Sequence, residues 1–525
     1  SSGSISGGII MGVQHPKRMQ AKASKTGEAG CNSQTSLSSW LARGSFAVAS
    51  VAAASFIGTP SAHAVPAYAR QTGQPCATCH TIWPELTPFG RQFKLMGYTS
   101  GGTRCNDGSA KSDETQVPLS VMAWPATLSS TKNNANYALG GSNFRNNDWL
   151  PDQFSLFVAG QLYCNVGTFT QMTFDRQAGP AGGFSWDNTD VRYAKTGTID
   201  GTTIVYGITA NNNPTTQDVW NTQQAWFFPY IDSSVAPFPA SPGTMLGANP
   251  FSMEAGGVGG YVWINNSIYA EFSAYGNLSP RLITDLNGGF DPTAQRFVGT
   301  MPYWRFAYEK TWDKNSLMFG TIGEYADQQP GVAATATDGA TPLFFAGKTD
   351  PTLDLGVDTQ YQFIGERDII TLHAAYIWEN KKNNAEIAGM TGSGLTLPNQ
   401  SDQLNDFMVS ASYTYDRTYQ LQVGWFDTWG TRDAGLYGSA TNPGGNGAIG
   451  TNLNGSPNST YWKVDLAYSP FMNGGAPDVW PWFNARIGVL YTHYDKWDGS
   501  TYNIDQSGLK ASGSDNIYLY TWLMF

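Results

Sequence analysis

Cys76, Cys79 and His80 stand in the order Cys-x-x-Cys-His inside PCATCHTIWPELTPFGRQFKLMGY, Pro75 to Tyr98. This spacing suits the attachment of a c-type haem. Cysteines one helical turn apart reach the two vinyl groups of the porphyrin, and the adjoining histidine presents its imidazole to the iron. A thioredoxin-like redox pair would need a βαβ context, and zinc would need two further ligands nearby; the segment offers neither. One covalently bound haem c is therefore expected, with Cys76 and Cys79 as thioether attachments and His80 as the proximal ligand.

The second face of the iron admits several readings. Beyond residue 64 the histidines are His80, His373 and His493. Alternation sets His493 with Ile487, Val489 and Tyr491, toward lipid, and sets His373 against Ile370, Leu372, Ala374 and Tyr376, toward the inside of the structure argued below. Met96 is the local candidate, and a thioether ligand would raise the potential. Alternatively Met96 packs on the porphyrin, His373 is a hydrogen-bonded wall residue, and water or nothing fills the sixth position. The segment 65–116 is too short to build a large core unaided, so the haem would supply much of its buried apolar surface. Pro84, Pro88, Phe89, Phe93, Leu95, Met96 and Tyr98 are available to wrap it.

What positions this segment is an unusual remainder. Charged residues make up only 13% of the 525-residue chain, about half the usual globular share, while Gly (59), Phe (27), Tyr (26) and Trp (18) are abundant. The net charge of -10 comes without a Lys/Arg run, which excludes the electrostatic footprint of a nucleic-acid binder. From Val117 to the last residue the pattern has period two. LDLGVDTQYQF, for example, puts Leu353, Leu355, Val357, Tyr361 and Phe363 on one face and Asp354, Asp358, Gln360 and Gln362 on the other.

Sixteen such runs can be read: 117–128, 152–164, 167–175, 189–199, 202–212, 257–264, 267–275, 301–311, 315–324, 352–363, 368–378, 405–415, 418–428, 459–468, 482–494 and 515–525. Runs of about ten residues are long enough for a tilted strand to cross a membrane. Tight turns alternate with long loops rich in Gly, Asn, Thr and Pro, and Tyr and Trp gather near the run ends. The expected fold is all-β, a 16-stranded antiparallel transmembrane β-barrel over 117–525, preceded by a small helical or irregular haem-binding segment, 65–116, that plugs the lumen. If the short turns are periplasmic, both ends of the barrel lie there and the long loops are extracellular. The last residue, Phe525, resembles the aromatic terminal signal of proteins inserted into the bacterial outer membrane.

Residues 1–64 read as a removed export signal. Lys17, Arg18, Lys22, Lys25 and Arg43 precede the apolar run Phe46 to Ile57, and Ala62-His63-Ala64 offers a small-x-small cleavage site. In an oxidising compartment Cys105 and Cys164 are a candidate disulfide pair.

AYARQTGQPCATCHTIWPELTPFGRQFKLMGY, Ala67 to Tyr98, followed by a barrel ending in Phe, resembles the fused monohaem cytochrome and porin of the outer membrane of iron-oxidising bacteria. The resemblance implies one-electron oxidation of extracellular Fe(II) to Fe(III), with electrons passed to a periplasmic c-type cytochrome or small copper protein. It carries over Cys76 and Cys79 as attachments and His80 as proximal ligand. Outer-sphere transfer needs no general acid or base, and the sequence shows no nucleophile or clustered carboxylates of that kind. Two other readings stand beside it: a solute porin whose haem segment is structural or sensory, and a haem peroxidase. Loops dominated by Asn, Gln, Ser, Thr and Gly would change little with pH, as an acid-facing surface requires, although porin loops are polar in any case. Asp327 and Glu379 are scattered acidic residues that could contact iron or simply be solvated.

Overall fold

The computed structural model describes residues 67–525, apart from 103–117, 132–146, 148, 152, 176–182, 234–235, 237–238, 244–245, 248–250, 252–253, 287–294, 331–346, 392–395, 438–454, 475–482 and 503–509. The export signal expected over 1–64, and Cys105, lie outside the described residues.

Among the described residues, nineteen hydrogen-bonded segments form a single sheet. Three of them continue a neighbour along the same partner strand. Leu119–Trp124 runs on as Thr127–Thr131, Trp149–Leu150 as Gln153–Tyr163, and Gln295–Phe297 as Met301–Trp312. Sixteen antiparallel strands remain. Pro125 and Pro151 fall in the first two interruptions, where a residue without an N–H breaks the ladder, and Gly299 (φ 76°) falls in the third. The sheet closes on itself: Met122 lies opposite Met524 and Thr131 opposite Asn516. Phe525 N–H donates to Val121 O at 2.8 Å, and Val121 N–H donates back to Phe525 O at 2.9 Å.

The barrel is inverted relative to a water-soluble one. Along Asp350–Ile364, Leu355 and Val357 are exposed while Asp354, Asp358, Gln360 and Gln362 are buried. Phe272, Phe306, Phe319, Leu466 and Ile517 also face outward, whereas Arg192, Arg305, Glu309, Asp465 and Arg486 are fully or almost fully buried inside. An apolar outside around a polar inside is the distribution that lipid imposes, so this is a membrane-spanning barrel of porin type. Outward Tyr163, Trp312, Tyr419 and Tyr468 lie at the ends near the short turns, and Trp149 and Trp429 lie toward the other end, as interfacial girdles require. Val357 sits mid-strand and is 57% exposed. Val357→Arg is expected to destabilise the barrel by about 2–4 kcal/mol, read from reversible denaturant unfolding in vesicles, since a midplane charge must leave water.

All sixteen expected strands are present. Several run further toward the long loops than the alternation suggests: Gly183–Ile199, Asn315–Pro330 and Asp350–Ile364 outlast their apolar faces. Ladder pairing needs no lipid, so strands continue where the membrane pattern has stopped. Six connections at one end are tight, with Asp200, Asn265, Asn266, Asp313, Asp416 and Arg417 in the left-handed region that two- and three-residue hairpin turns demand.

One connection corrects the expected arrangement. The stretch between Thr202–Asn211 and Ala255–Ile264 leaves from the long-loop end but folds into the lumen rather than outward: Val219, Trp220, Phe228, Tyr230 and Ile231 are buried. Its aromatic content is too high for a solvated loop, and the lumen is where that surface is covered. At the other end, in the connection that the runs 459–468 and 482–494 leave between them, Met472 is buried against the inner wall.

Candidate functional site

The described part of the N-terminal segment, residues 67–102, packs against the inner wall of the barrel. It contains three short helices, Ala67–Thr72, Cys76–Cys79 and Pro88–Leu95. The third begins at Thr87, whose hydroxyl accepts the Gly90 N–H, with Pro88 in the first turn where its missing N–H costs nothing. It lies directly on the Cys-x-x-Cys-His turn: a Cβ at Gly90 would come 2.2 Å from the Cys79 carbonyl oxygen. Gly90→Ala therefore forces backbone apart. It is expected to cost about 1–3 kcal/mol as overpacking, read from denaturant unfolding of the folded barrel.

Arg91, next in the chain, fixes the segment to the wall. Its guanidinium donates to Glu309 at 2.5 and 3.2 Å, to Gln360 at 3.0 Å, to Gln362 at 2.8 Å and to Ser316 at 3.0 Å, and it is fully buried. Tyr98 closes the far end, donating to Asp190 at 2.5 Å, while Arg192 pairs with the same carboxylate at 2.6 Å. Tyr68 stacks on Tyr98 with centroids 5.5 Å apart, and burial raises the pKa of both phenols well above its ordinary value.

The inserted loop meets the segment inside the lumen. Tyr230 Oη donates to Glu85 at 3.3 Å, Leu86 N–H donates to Asn221 at 3.2 Å, and Lys94 Nζ donates to the Thr216 carbonyl. Trp220 Nε1 reaches Glu309 at 3.0 Å, the carboxylate that Arg91 already holds. The loop is itself pinned: Asp218 accepts the N–H groups of Trp220, Thr222 and Gln223, and Arg305 pairs with Asp218 and Asp358 at 3.4 and 2.5 Å. The two inserts therefore interlock across the lumen.

The buried lumen wall carries many polar side chains and several apolar clusters; in one of these sectors, Met122, Phe157, Leu490, Tyr518, Tyr520 and Trp522 gather around Cys76, Ala77 and Trp83. Ala77 N–H donates to Met472 O at 3.0 Å, and Asn484 Nδ2 approaches Cys76 Sγ at 3.2 Å. Cys76 and Cys79 are free thiols. Burial pushes Cys76 up to about 11 and Cys79 up to about 12. A reactive Cys-x-x-Cys pair is shifted in the opposite direction. His80 Nδ1 lies 3.2 Å from the Pro84 carbonyl, which can only accept, so this nitrogen carries the proton and Nε2 keeps its lone pair. Burial lowers the His80 pKa to about 4. Two unpaired thiols, an imidazole that burial keeps neutral and an apolar aromatic wall match what a c-type haem needs, so the residues present fit that group.

Other candidates are placed elsewhere. Met96 packs on a separate apolar cluster with Leu95, Val205 and Tyr261, and it lines an open groove of about 290 Å³ with Thr99, Asn165, Ala194, Lys195 and Thr196. His373 faces the lumen as expected. Its Nε2 accepts from Gln360 at 2.8 Å, and its Nδ1 lies 3.4 Å from Ser410 Oγ and 3.9 Å from Glu85. His493 is half-buried with Nδ1 3.0 Å from Asp515. Asp327 accepts from Tyr325 at 2.8 Å, and Glu379 accepts the Gly243 N–H at 2.5 Å. Among the described residues no group of three or more His, Cys, Asp or Glu is arranged to hold a metal ion. Cys164 is disulfide-bonded. Of the residues expected to wrap a porphyrin, Phe89 is exposed, whereas Phe93, Leu95 and Tyr98 are buried. Sequence reading missed Arg91 and Gly90 as anchors, and the pairing of Gly with Arg inside a short helix was the available signal.

No protein-family profile matches the sequence, and no curated protein does. Solved barrels do. OmpT of Vibrio cholerae is similar at 9% identity over 78% of this chain and 97% of that one, with a TM-score of 0.38. OmpF of Salmonella typhi, solved with daunomycin, is 13% identical over 78% and 97%, TM-score 0.38. An anion-selective porin from Comamonas acidovorans is 9% identical over 77% and 98%, TM-score 0.37.

Proposed function

We propose that this barrel is an outer-membrane electron-transfer protein that oxidises extracellular Fe(II) to Fe(III), one electron at a time, and delivers the electron to a periplasmic c-type cytochrome or small copper protein. The observation that carries this reading is the position of the Cys76, Cys79 and His80 turn inside a membrane-spanning barrel, with Cys76 in an apolar aromatic sector of the lumen wall. Cys76 and Cys79 would hold a haem c covalently and His80 would ligate its iron. When bound, that haem supplies a one-electron couple between the two faces of an insulating membrane.

The chain's own residues set the conditions for that role. Pro84 fixes the tautomer and orientation of His80. Trp83, Tyr518, Tyr520 and Trp522 exclude water from the sector, and Arg91 with Glu309 prevents the segment from leaving the lumen. In this reading the segment enters from the periplasmic side, where the short turns lie, and the long loops face the iron source. A solute channel is the second reading, favoured by the porin-type wall itself. It is opposed by two interlocked inserts held by fully buried ion pairs.

The test uses the whole haem-loaded protein in vesicles that contain an oxidised soluble c-type cytochrome, with Fe(II) added outside. Reduction of the enclosed cytochrome, dependent on the barrel and unaffected by impermeant solutes, is expected. Free passage of small solutes without electron transfer would overturn the proposal in favour of the channel.

A further inference from the structure

On one side of the apolar sector, several buried N–H groups point at nothing. Arg486 is fully buried. Its Nη2 donates to Asp465 and to Gln422, both at 2.6 Å, and its Nη1 to the Trp83 carbonyl at 3.3 Å, yet its Nε has no partner. Gln422 Nε2, Trp522 Nε1 and Trp124 Nε1 are likewise buried without an acceptor. These groups are neighbours: Arg486 lies over the Trp522 ring at 5.8 Å, Trp124 and Trp522 have centroids 5.5 Å apart, and Trp83 is 6.0 Å from Trp522. All four orphans are donors. A buried donor without a partner forfeits its hydration with no return, so four together call for a ligand with several acceptor oxygens.

The chemical class of that ligand follows from the site. Asp465 already balances the Arg486 charge and accepts from Tyr520 at 2.9 Å, so a simple anion would meet a carboxylate as well as donors. A carboxylate carried on an apolar plate fits better, because its body would lie against Trp83, Tyr520 and Trp522 while its oxygens take the free N–H groups. Asn484, which contacts Cys76, is two residues from Arg486 on the same inward face, about 7 Å along the strand. We infer that Arg486, Gln422, Trp522 and Trp124 form a carboxylate-binding site for the propionate edge of the haem that Cys76 and Cys79 attach. The inference rests on the haem reading of the preceding subsection.

The site is tested on the full haem-loaded chain with two variants, Trp522→Phe and Arg486→Gln combined with Asp465→Asn. The double replacement avoids stranding the Asp465 charge, and Trp522→Phe removes one donor with little change of volume. Three quantities are measured: covalent haem per chain, the propionate bending bands in resonance Raman spectra, and midpoint potential against pH. Covalent haem is expected to persist in both variants. The propionate bands are expected to move to the positions of weakly hydrogen-bonded carboxylates, and the bend in the potential–pH curve is expected to move up by about one pH unit, a tenfold weaker hold on the ionised form. Unchanged bands and an unchanged curve in both variants, with haem attached, would overturn the site and leave the haem reading standing. Absence of covalent haem from the unmodified chain would overturn both.

Discussion

Replacing Cys76 and Cys79 together by alanine is expected to abolish covalently bound haem while leaving the barrel folded. Both thiols are unpaired, and Cys76 packs as a small apolar side chain among Ala77, Met122 and Trp522, so alanine leaves the wall contacts largely in place. The barrel is closed by backbone pairing in which neither cysteine takes part, from Met122 opposite Met524 to Thr131 opposite Asn516. Haem staining after denaturing electrophoresis should fall to background, and the heat-sensitive electrophoretic shift of a folded barrel should remain. Fe(II)-dependent electron transfer across vesicles should be lost with the haem. Each single alanine variant retains one possible thioether and should keep haem at reduced yield. Haem staining that survives the double replacement would contradict attachment at this motif.

The second large effect is expected at Arg91. Its guanidinium has five side-chain hydrogen bonds to the wall, and both it and Glu309 are almost completely buried, at 1% and 2% side-chain exposure. Removing one member of such a pair strands the other charge, which costs about 3–5 kcal/mol. In Arg91→Met the stranded Glu309 keeps Trp220 and Ser316 as donors but loses its counter-charge. Because Arg91 and Trp220 share this carboxylate, the variant loosens the contact between the segment and the inserted loop as well as that between the segment and the wall. Single-channel recordings should show new ion conductance, and thermal unfolding should begin at lower temperature. Adding Glu309→Gln should restore much of the lost stability, since no buried charge is then left alone. Wild-type conductance and unfolding in Arg91→Met would contradict the view that this pair holds the lumen shut.

Much of the barrel was legible because lipid and lumen impose opposite chemistry on successive residues. Along Leu353 to Phe363, alternation of Leu and Val with Asp and Gln marks the two faces directly, and the register bears it out, with Val357 exposed and Asp358 buried. The same logic fails outside the membrane band, which is why the full length of Gly183–Ile199 and Asn315–Pro330 was not read. The inward fold of the long loop was also missed. Its stretch VWNTQQAWFFPYI, Val219 to Ile231, is far more aromatic than the Asn-, Gly- and Thr-rich connections around it. That contrast was visible, but its partners Glu309, Tyr303 and Asp358 lie on strands far along the chain.

The candidate site was legible only in its covalent part. Cys76, Cys79 and His80 are marked by spacing, a local property. The sector around them depends on Met122, Leu490, Tyr518 and Trp522, which share nothing in sequence with the motif and meet it only because the barrel closes. Met96 was singled out for its nearness in the chain. It follows the helix Pro88–Leu95 and packs on the cluster of Leu95 and Tyr261.

The most direct test of the account is spectroscopic. Fe(II) is added anaerobically, at low pH, to the purified oxidised protein, and the haem absorption bands are followed in time. The account predicts conversion to the reduced c-type spectrum with one equivalent of Fe(III) formed per haem, and no conversion in the Cys76→Ala/Cys79→Ala variant. A haem that stays oxidised in excess Fe(II), yet is reduced by dithionite, would contradict it.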